Sequence, residues 1–252
     1  MSGKRRRTIG VIPARWASTR LPGKALVPLC GKPLIQWVLE RTRLATGLDE
    51  VVVATDDERI RSVVAACGGT AVMTRPDHPS GTDRTAEAVA GREADVVINV
   101  QGDEPLIDPG LINRLAEVMV NEPEWDMATA VVPITDPAEL AKPSVVKAVF
   151  GERGQALYFS RAAIPFVRDT APAGLRHWRH VGIYAYRRAF LDRLVQTPPC
   201  ALELAEKLEQ LRALHLGARM KVLETGEIGL GVDTPEDVPL AEAALRRAGL
   251  AK

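Results

Sequence analysis

Short apolar runs alternate with helical stretches through the first half of this chain, and that alternation restricts its fold more than any other feature. The runs are Ile9–Pro13, Val51–Ala54, Ala71–Met73 and Val96–Val100, with helical patterns at Pro33–Ala45, Glu58–Cys67 and Arg84–Gly91. Such alternation builds βαβ units around a mostly parallel sheet. Strands that are apolar at every position are buried on both faces. The expected fold is therefore α/β: a three-layer, Rossmann-like, mostly parallel sheet flanked by helices. Pro33 sits where a helix N1 proline fits, because its missing N–H is one that the first turn leaves unpaired anyway.

The second half is more mixed. Strands are predicted at Met127–Val132, Val145–Phe150, Val181–Tyr186 and Met220–Leu223, and a last helix at Pro235–Ala248. Ala201–Leu214 reads as one amphipathic helix with Leu204, Leu208, Leu211 and Leu214 as its buried stripe. Ala162–Arg179 is punctuated by prolines and carries Ile164, Phe166, Val167 and Trp178. It reads either as an excursion against a second subunit or as a surface loop. No linker, repeat or low-complexity tract divides the 252 residues. A single domain is expected, with residues 1–125 and 126–252 as its approximate halves.

A net charge of +1 gives no polyelectrolyte character, so no nucleic-acid partner is expected. The basic run Lys4–Arg7 resembles the start of a signal peptide, but the apolar stretch after it ends at Pro13, before Arg15. No run reaches the roughly 18 apolar residues of a membrane span, so no membrane insertion is expected. Cys30, Cys67 and Cys200 form no CxxC pair and no zinc set. They read as reduced thiols in a cytoplasmic protein.

Charged residues gather where the strands end. Ligands in open α/β sheets sit beyond the carboxyl ends of strands, and Arg15, Asp56, Arg75 and Asp103 all fall just past such ends. The first of these segments runs from Pro13 and Ala14 through Arg15 and Arg20 to Lys24. It is neither a Walker A loop nor a GxGxxG turn. It offers two arginine forks that match phosphate oxygens, a lysine point charge, and small residues that let backbone amides approach an anion. Asp103 comes just after the fourth apolar run, past Gln101 and Gly102, and Asp233 follows another short one. Two strand-end aspartates can hold one Mg²⁺ against a triphosphate, a task that suits hard oxygen ligands. Glu104 is an alternative ligand, and Asp233 has a competing reading as a helix cap before Thr234 and Pro235. Together these features point to a nucleotidyl transferase.

The segment IPARWASTRLPGK (12–24) resembles the signature of the sugar-activating cytidylyltransferases of lipopolysaccharide assembly. The similarity continues in order through VATDDERI, MTRPDHPSGTDR, NVQGDEP, YFSRAAIP, RHVGIYAYRRAFL, EKLEQLR and GVDTPED, over nearly the whole chain. The resemblance implies a nucleotide-diphospho-sugar transferase type of fold, with a smaller mixed part for sugar binding and dimerisation. It implies CTP and the sugar acid 3-deoxy-manno-octulosonate (Kdo) as substrates, Mg²⁺ as cofactor and a homodimer as the assembly. Asp103 and Asp233 would bind the metal, and Lys24, Arg15 and both aspartates would serve catalysis.

The nucleotide site would comprise Pro13, Ala14, Arg15, Arg20, Lys24, Arg75, Ser80, Gly81, Thr82, Asp83 and Gln101. Small hydrogen-bonding groups in the 75–84 turn can select cytosine over uracil by donor–acceptor mismatch. A histidine at position 78 reads equally as a ligand contact or as a support of its own turn. For the sugar, the resemblance assigns Gln101, His180, Tyr184, Glu209 and Gln210, and Arg161 is the cation chosen for the carboxylate. His180 and Tyr184 share a strand face with Gly182, which leaves room between them. Pro199-Cys200-Ala201 departs from the family pattern and puts the capping of the following helix in doubt.

Three other readings compete. One is activation of a related acid such as 8-amino-Kdo, and another a sugar-1-phosphate nucleotidyltransferase. The third is a non-catalytic nucleotide sensor, disfavoured by the presence of Asp103, Asp233 and Lys24 together. A dehydrogenase is disfavoured by the missing glycine fingerprint.

Overall fold

The computed structural model describes residues 6–226 and 229–251; Lys4 and Arg5 of the basic run lie outside them. The strands in chain order are β1 (Thr8–Ala14), β2 (Pro28–Leu29), β3 (Lys32–Pro33), β4 (Glu50–Thr55), β5 (Thr70–Met73) and β6 (Val96–Asn99). They continue with β7 (Met127–Pro133), β8 (Lys147–Phe150), β9 (Ala156–Ser160), β10 (Trp178–Arg187) and β11 (Met220–Glu224). The helices are α1 (Leu34–Arg43), α2 (Glu58–Ala66), α3 (Gly81–Val89), α4 (Pro109–Asn121), α5 (Arg188–Gln196), α6 (Ala201–Glu206), α7 (Gln210–His215) and α8 (Asp237–Arg247).

The main sheet has the order β11-β7-β10-β6-β1-β4-β5, with β8 and β9 branching from β10. β1 pairs in parallel with both β4 and β6, and β4 with β5. β11 pairs in parallel with β7, while β10 is antiparallel to β6, β7 and β8, and β8 to β9. Successive residues of a strand face opposite sides, and both sides are filled. Ile12, Val53 and Ile98 pack with Leu39, Ile112 and Leu115 in one core layer. Ile9, Val11, Val52 and Val97 pack with Phe159, Leu191 and Leu211 in the other. This is the mostly parallel, helix-flanked α/β sheet expected from the apolar runs.

Several boundaries differ from the sequence reading. The stretch Ala201–Leu214 is two helices, because Lys207 takes a left-handed conformation with φ of 53°. The carbonyls of Glu206 and Lys207 accept from the Arg161 guanidinium, which draws them out of a continuing helix ladder. Leu204 is consequently 53% exposed, while Leu208 and Leu211 are buried. Cys200 occupies the N-cap position of α6 and makes no side-chain cap. Pro33 precedes α1 as its N-cap residue rather than opening it. Two helices and three strands have no counterpart in the sequence reading: α4, α5, the two-residue strands β2 and β3, and β9. The start of α4 carries a plain signal, since Asp108 accepts from the backbone N–H groups of Gly110 and Leu111 and Pro109 opens the helix.

Candidate active site

The loop after β1 is held from both sides. Its Trp16 N–H donates to Asp56 Oδ1 at 3.1 Å, just past the end of β4. The Arg59 guanidinium, from α2, lies 3.3 Å from the Trp16 ring centroid. Gly23 lies on the indole with φ of 67°, and a Cβ there would come within 2.9 Å of Trp16 Cη2. Only a residue without a side chain meets both conditions comfortably. The loop so folded delivers Lys24 to the acids.

Gly102 explains how Asp103 gets there. A Cβ at position 102 would sit 2.5 Å from the Pro13 carbonyl oxygen, so the turn after β6 presses against the end of β1. The Asp103 carbonyl accepts from the Val232 N–H at 2.9 Å, which brings Asp233 alongside. Lys24 Nζ then lies 2.6 Å from Asp103 Oδ2 and 3.0 Å from Asp233 Oδ1. Arg20 Nη2 lies 3.0 Å from the other Asp233 oxygen. Burial pulls the Lys24 ammonium down, but the charge and hydrogen bond of Asp103, then those of Asp233, outweigh it and hold the pKa above the usual value. Asp233 does not cap α8. The roles are reversed, because Asp237 Oδ2 accepts from the backbone N–H groups of Asp233 and Thr234.

Around these groups lies a cleft of about 380 Å³. It brings together Pro13, Ala14, Arg15, Arg20, Lys24, Ser80, Gly81, Gln101, Asp103 and Asp233. Ser80 caps α3 and accepts from the N–H groups of Thr82 and Asp83. Asp83 lies outside the cleft lining and accepts from the Ser80 hydroxyl at 2.6 Å. His78 lines the cleft and pairs with Glu87. Arg75 stands apart from the cleft, its guanidinium beside Glu87 and Asp77.

Arg84, read from sequence as the end of the 75–84 turn and the start of a helix, is a second support. It is 2% exposed, reaches Asp56 at 3.1 Å and Thr74 Oγ1 at 2.6 Å, and lines the cleft. Removing one partner of such a buried pair costs about 3–5 kcal/mol.

A second cavity, about 340 Å³, adjoins the first and shares Gly81 and Gln101 with it. His180, Gly182, Tyr184, Tyr186, Thr82, Asn99, Lys207, Glu209 and Gln210 also line it. The His180 and Tyr184 ring centroids are 5.4 Å apart. Pairing with β7 shifts register between Val181 and Tyr184, so Gly182 lies in a bulge. Its Cβ position is 3.6 Å from Gln101 Cγ. His180 Nε2 hydrogen-bonds with Thr129 Oγ1 at 2.9 Å, and desolvation pushes the imidazole down to about 3. Desolvation also raises Tyr184, with the Glu209 charge adding to it. It raises Glu209 too, against the hydrogen bonds from Thr82 and Ser80.

Arg161 is not part of this lining. Its guanidinium donates to the carbonyls of Glu206, Pro143 and Lys207, at 2.6, 2.8 and 3.3 Å. Its own carbonyl accepts from Lys147 Nζ, a fully buried ammonium. The cation chosen for a carboxylate thus spends its donors on backbone.

Comparison with known proteins identifies this arrangement. A family model described as Cytidylyltransferase matches residues 9–222. A 3-deoxy-manno-octulosonate cytidylyltransferase of Syntrophotalea carbinolica is 49% identical over 243 residues, covering 94% of this chain and 97% of its own. The chain belongs to the 3-deoxy-manno-octulosonate cytidylyltransferase family. A solved CMP:2-keto-3-deoxy-manno-octonic acid synthetase complexed with CTP superposes with a TM-score of 0.92 at 46% identity, covering 96% of this chain and 99% of that one. An 8-amino-3,8-dideoxy-manno-octulosonate cytidylyltransferase of Shewanella woodyi is 48% identical, over 93% of this chain and 97% of its own. Like the members of this cytidylyltransferase family, the chain is a nucleotidyltransferase.

Glu104, the alternative metal ligand of the sequence reading, is partly buried beside the cleft of this family member. Desolvation, then the charge of Asp103, pushes the Glu104 carboxyl up to about 7. Its Oε2 lies 2.6 Å from the Cβ position of Gly229, so it packs under the loop before Asp233. It lies outside the lining of the cleft.

Proposed function

We propose that the chain transfers CMP from CTP to the anomeric hydroxyl of Kdo, releasing pyrophosphate and forming CMP-Kdo for lipopolysaccharide biosynthesis. The observation that carries this reading is the junction of the two cavities at Gln101 and Gly81. The first cavity is cationic with two carboxylates at one end, as a nucleoside triphosphate requires. The second is lined by hydrogen-bonding groups (Thr82, Gln101, His180, Tyr184 and Gln210) with Lys207 and Glu209 among them, a set that suits a polyhydroxylated sugar acid. The two meet where a hydroxyl of one ligand can face a phosphate of the other.

Arg15, Arg20 and Lys24 neutralise the triphosphate and stabilise the charge that grows on the departing pyrophosphate. Ser80, Gly81 and the ends of β1 and α3 hold the nucleotide, and Gln101 stands between the substrates. The sugar hydroxyl oxygen bonds to the α-phosphorus as the bond to the bridging oxygen of pyrophosphate breaks. The hydroxyl proton leaves to solvent or to Asp233. No covalent enzyme intermediate is involved, and most of the acceleration comes from positioning and charge. His180 stays neutral at physiological pH and serves as a hydrogen-bonding wall of the sugar pocket.

Asp103 and Asp233 fit Mg²⁺. Both place a carboxylate oxygen within 3.0 Å of one ammonium nitrogen, so they already face a common cationic centre. Mg²⁺ prefers one or two carboxylates and takes its other ligands from phosphates and water. When bound, it polarises the α-phosphate and acidifies the attacking hydroxyl.

Residues 1–125 supply most of the nucleotide side and 126–252 most of the sugar side, with Asp233 crossing over. The protein works as a cytoplasmic homodimer, and the 83% exposed Phe166 of the proline-punctuated excursion belongs to the subunit contact. None of the helices described is long and apolar enough to cross a membrane.

The Shewanella woodyi relative supports 8-amino-Kdo as a second reading of the acceptor. Pyrophosphate release from CTP and Mg²⁺, with and without Kdo, tests the main one. Release that depends on Kdo is expected. Folded, CTP-binding protein that releases none with either sugar would favour a nucleotide sensor.

A further inference from the structure

Asn99 closes β6 and is 1% exposed, yet its Oδ1 has no hydrogen-bond partner within the protein. Leaving such an acceptor unpaired costs roughly 1–3 kcal/mol. Folded proteins seldom tolerate this without a partner from outside the chain.

The position of the residue supplies the partner's address. Alternation along β6 puts Asn99 on the opposite face from Ile98 and Val100, which pack in one core layer, and on the same face as Gln101. Directly across the antiparallel pairing stands Tyr184. Asn99 therefore lies in the lining of the second cavity, between Gln101 and the β10 residues that form its wall. The same lining carries donors, Thr82, Tyr184 and Gln210 among them, yet none of them bonds to this oxygen. Thr85 Oγ1 is the other buried, unpaired side-chain atom among the described residues, and it lines neither cavity. Of the two, only Asn99 combines an unmet hydrogen bond with a place in a cavity lining.

We infer that Asn99 is a specificity-determining residue that reads a hydroxyl of the sugar. A carboxamide is uncharged and carries an acceptor beside two donors. It suits a hydroxyl, which can both give and accept, better than a carboxylate or a phosphate. The inference rests on the second cavity being the sugar site, as proposed above.

Asn99→Leu tests it, because leucine nearly matches the shape and removes the polar group. KM for Kdo is measured at saturating CTP, KM for CTP at saturating Kdo, and thermal midpoints are recorded for both proteins. Kdo KM should rise roughly 10-fold or more while CTP KM stays within about twofold. The midpoint should hold or rise, since an unmet polar group has been replaced by an apolar one. A purely structural asparagine would instead lower the midpoint and shift both constants together. A panel of monodeoxy Kdo analogues gives an independent readout. Wild-type protein should discriminate strongly against one of them, and Asn99→Leu should lose that discrimination. If Asn99→Leu does not fold, Asn99→Ala carries the same measurements. Unchanged Kdo KM and unchanged discrimination in a folded variant would overturn the inference. A wild-type protein inert toward Kdo would overturn the sugar-site reading instead, so the two failures are distinguishable.

Discussion

The Lys24 ammonium sits 2.6 Å from the Asp103 carboxylate and closes an ion pair between the loop after β1 and the turn after β6. Its second contact, to Asp233 at 3.0 Å, draws in a third segment. One cation thus gathers the two acids that the account assigns to Mg²⁺. Asp103→Ala should lower kcat by about 10²–10³-fold or more, within the range for losing one electrostatic element of an active site. The pair is partly solvated, so the thermal midpoint should move little. Chelation should abolish turnover of the wild type, and added Mg²⁺ should restore it. Near-normal turnover by Asp103→Ala would remove the metal role.

Trp16 is clamped between Arg59 and Gly23, outside the chemistry itself. A methyl group at position 23 collides with the indole and must also adopt a left-handed backbone, a strain of roughly 1–2 kcal/mol. Gly23→Ala should therefore raise KM for CTP several-fold and leave KM for the sugar nearly unchanged. Trp16 fluorescence should change when CTP binds to the wild type and change less in Arg59→Ala. Equal KM values in variant and wild type would mean that the clamp does not set the loop.

Arg161 was chosen from sequence to face the sugar carboxylate, yet its donors go to the carbonyls of Pro143, Glu206 and Lys207. Hydrogen bonds to charged groups contribute about 1.5–3 kcal/mol each, and the guanidinium is partly exposed. Arg161→Ala should therefore lower stability by about 2 kcal/mol and raise sugar KM, because Lys207 and Glu209 line the second cavity, proposed for the sugar, next to the break it holds. Denaturant unfolding and steady-state kinetics on one sample check both. A rise in sugar KM with no loss of stability would return Arg161 to direct contact with the carboxylate.

Much of this was legible in the chain. Continuous apolar runs gave away the parallel strands, because burial on both faces leaves no polar alternation. That Lys24, Asp103 and Asp233 come together was legible too, because each lies just past a strand or loop pattern that ends at the same edge of the sheet. Arg161 was not, because a positive side chain near a pocket looks the same in sequence whether it faces ligand or backbone. The break at Lys207 was hidden as well. Its left-handed conformation depends on carbonyls captured by Arg161, which lies far off in sequence. The support that Arg84 gives Asp56 was not legible, because it arises from burial, which the end of a polar turn and the start of a helix do not announce.

His180 ties pH to stability. Desolvation lowers its folded pKa to about 3, below the ordinary value of 6.5. Between those values the unfolded chain binds a proton that the folded chain does not. Stability from this group is thus fully present above about 6.5 and is lost as pH falls toward 3, by up to about 1.4 kcal/mol per pH unit. Asn substituted at this position should flatten that part of the curve. Denaturation of wild type and His180→Asn from pH 7 to pH 4 measures the difference, and parallel curves would contradict it.

The most direct measurement is a competition between acceptors. Enzyme, CTP and Mg²⁺ are mixed with equal Kdo and 8-amino-Kdo, and the CMP-linked products are counted by mass spectrometry. CMP-Kdo is the expected main product, formed one for one with pyrophosphate. A predominance of the 8-amino product, or CTP consumed without any CMP-linked sugar, would contradict it.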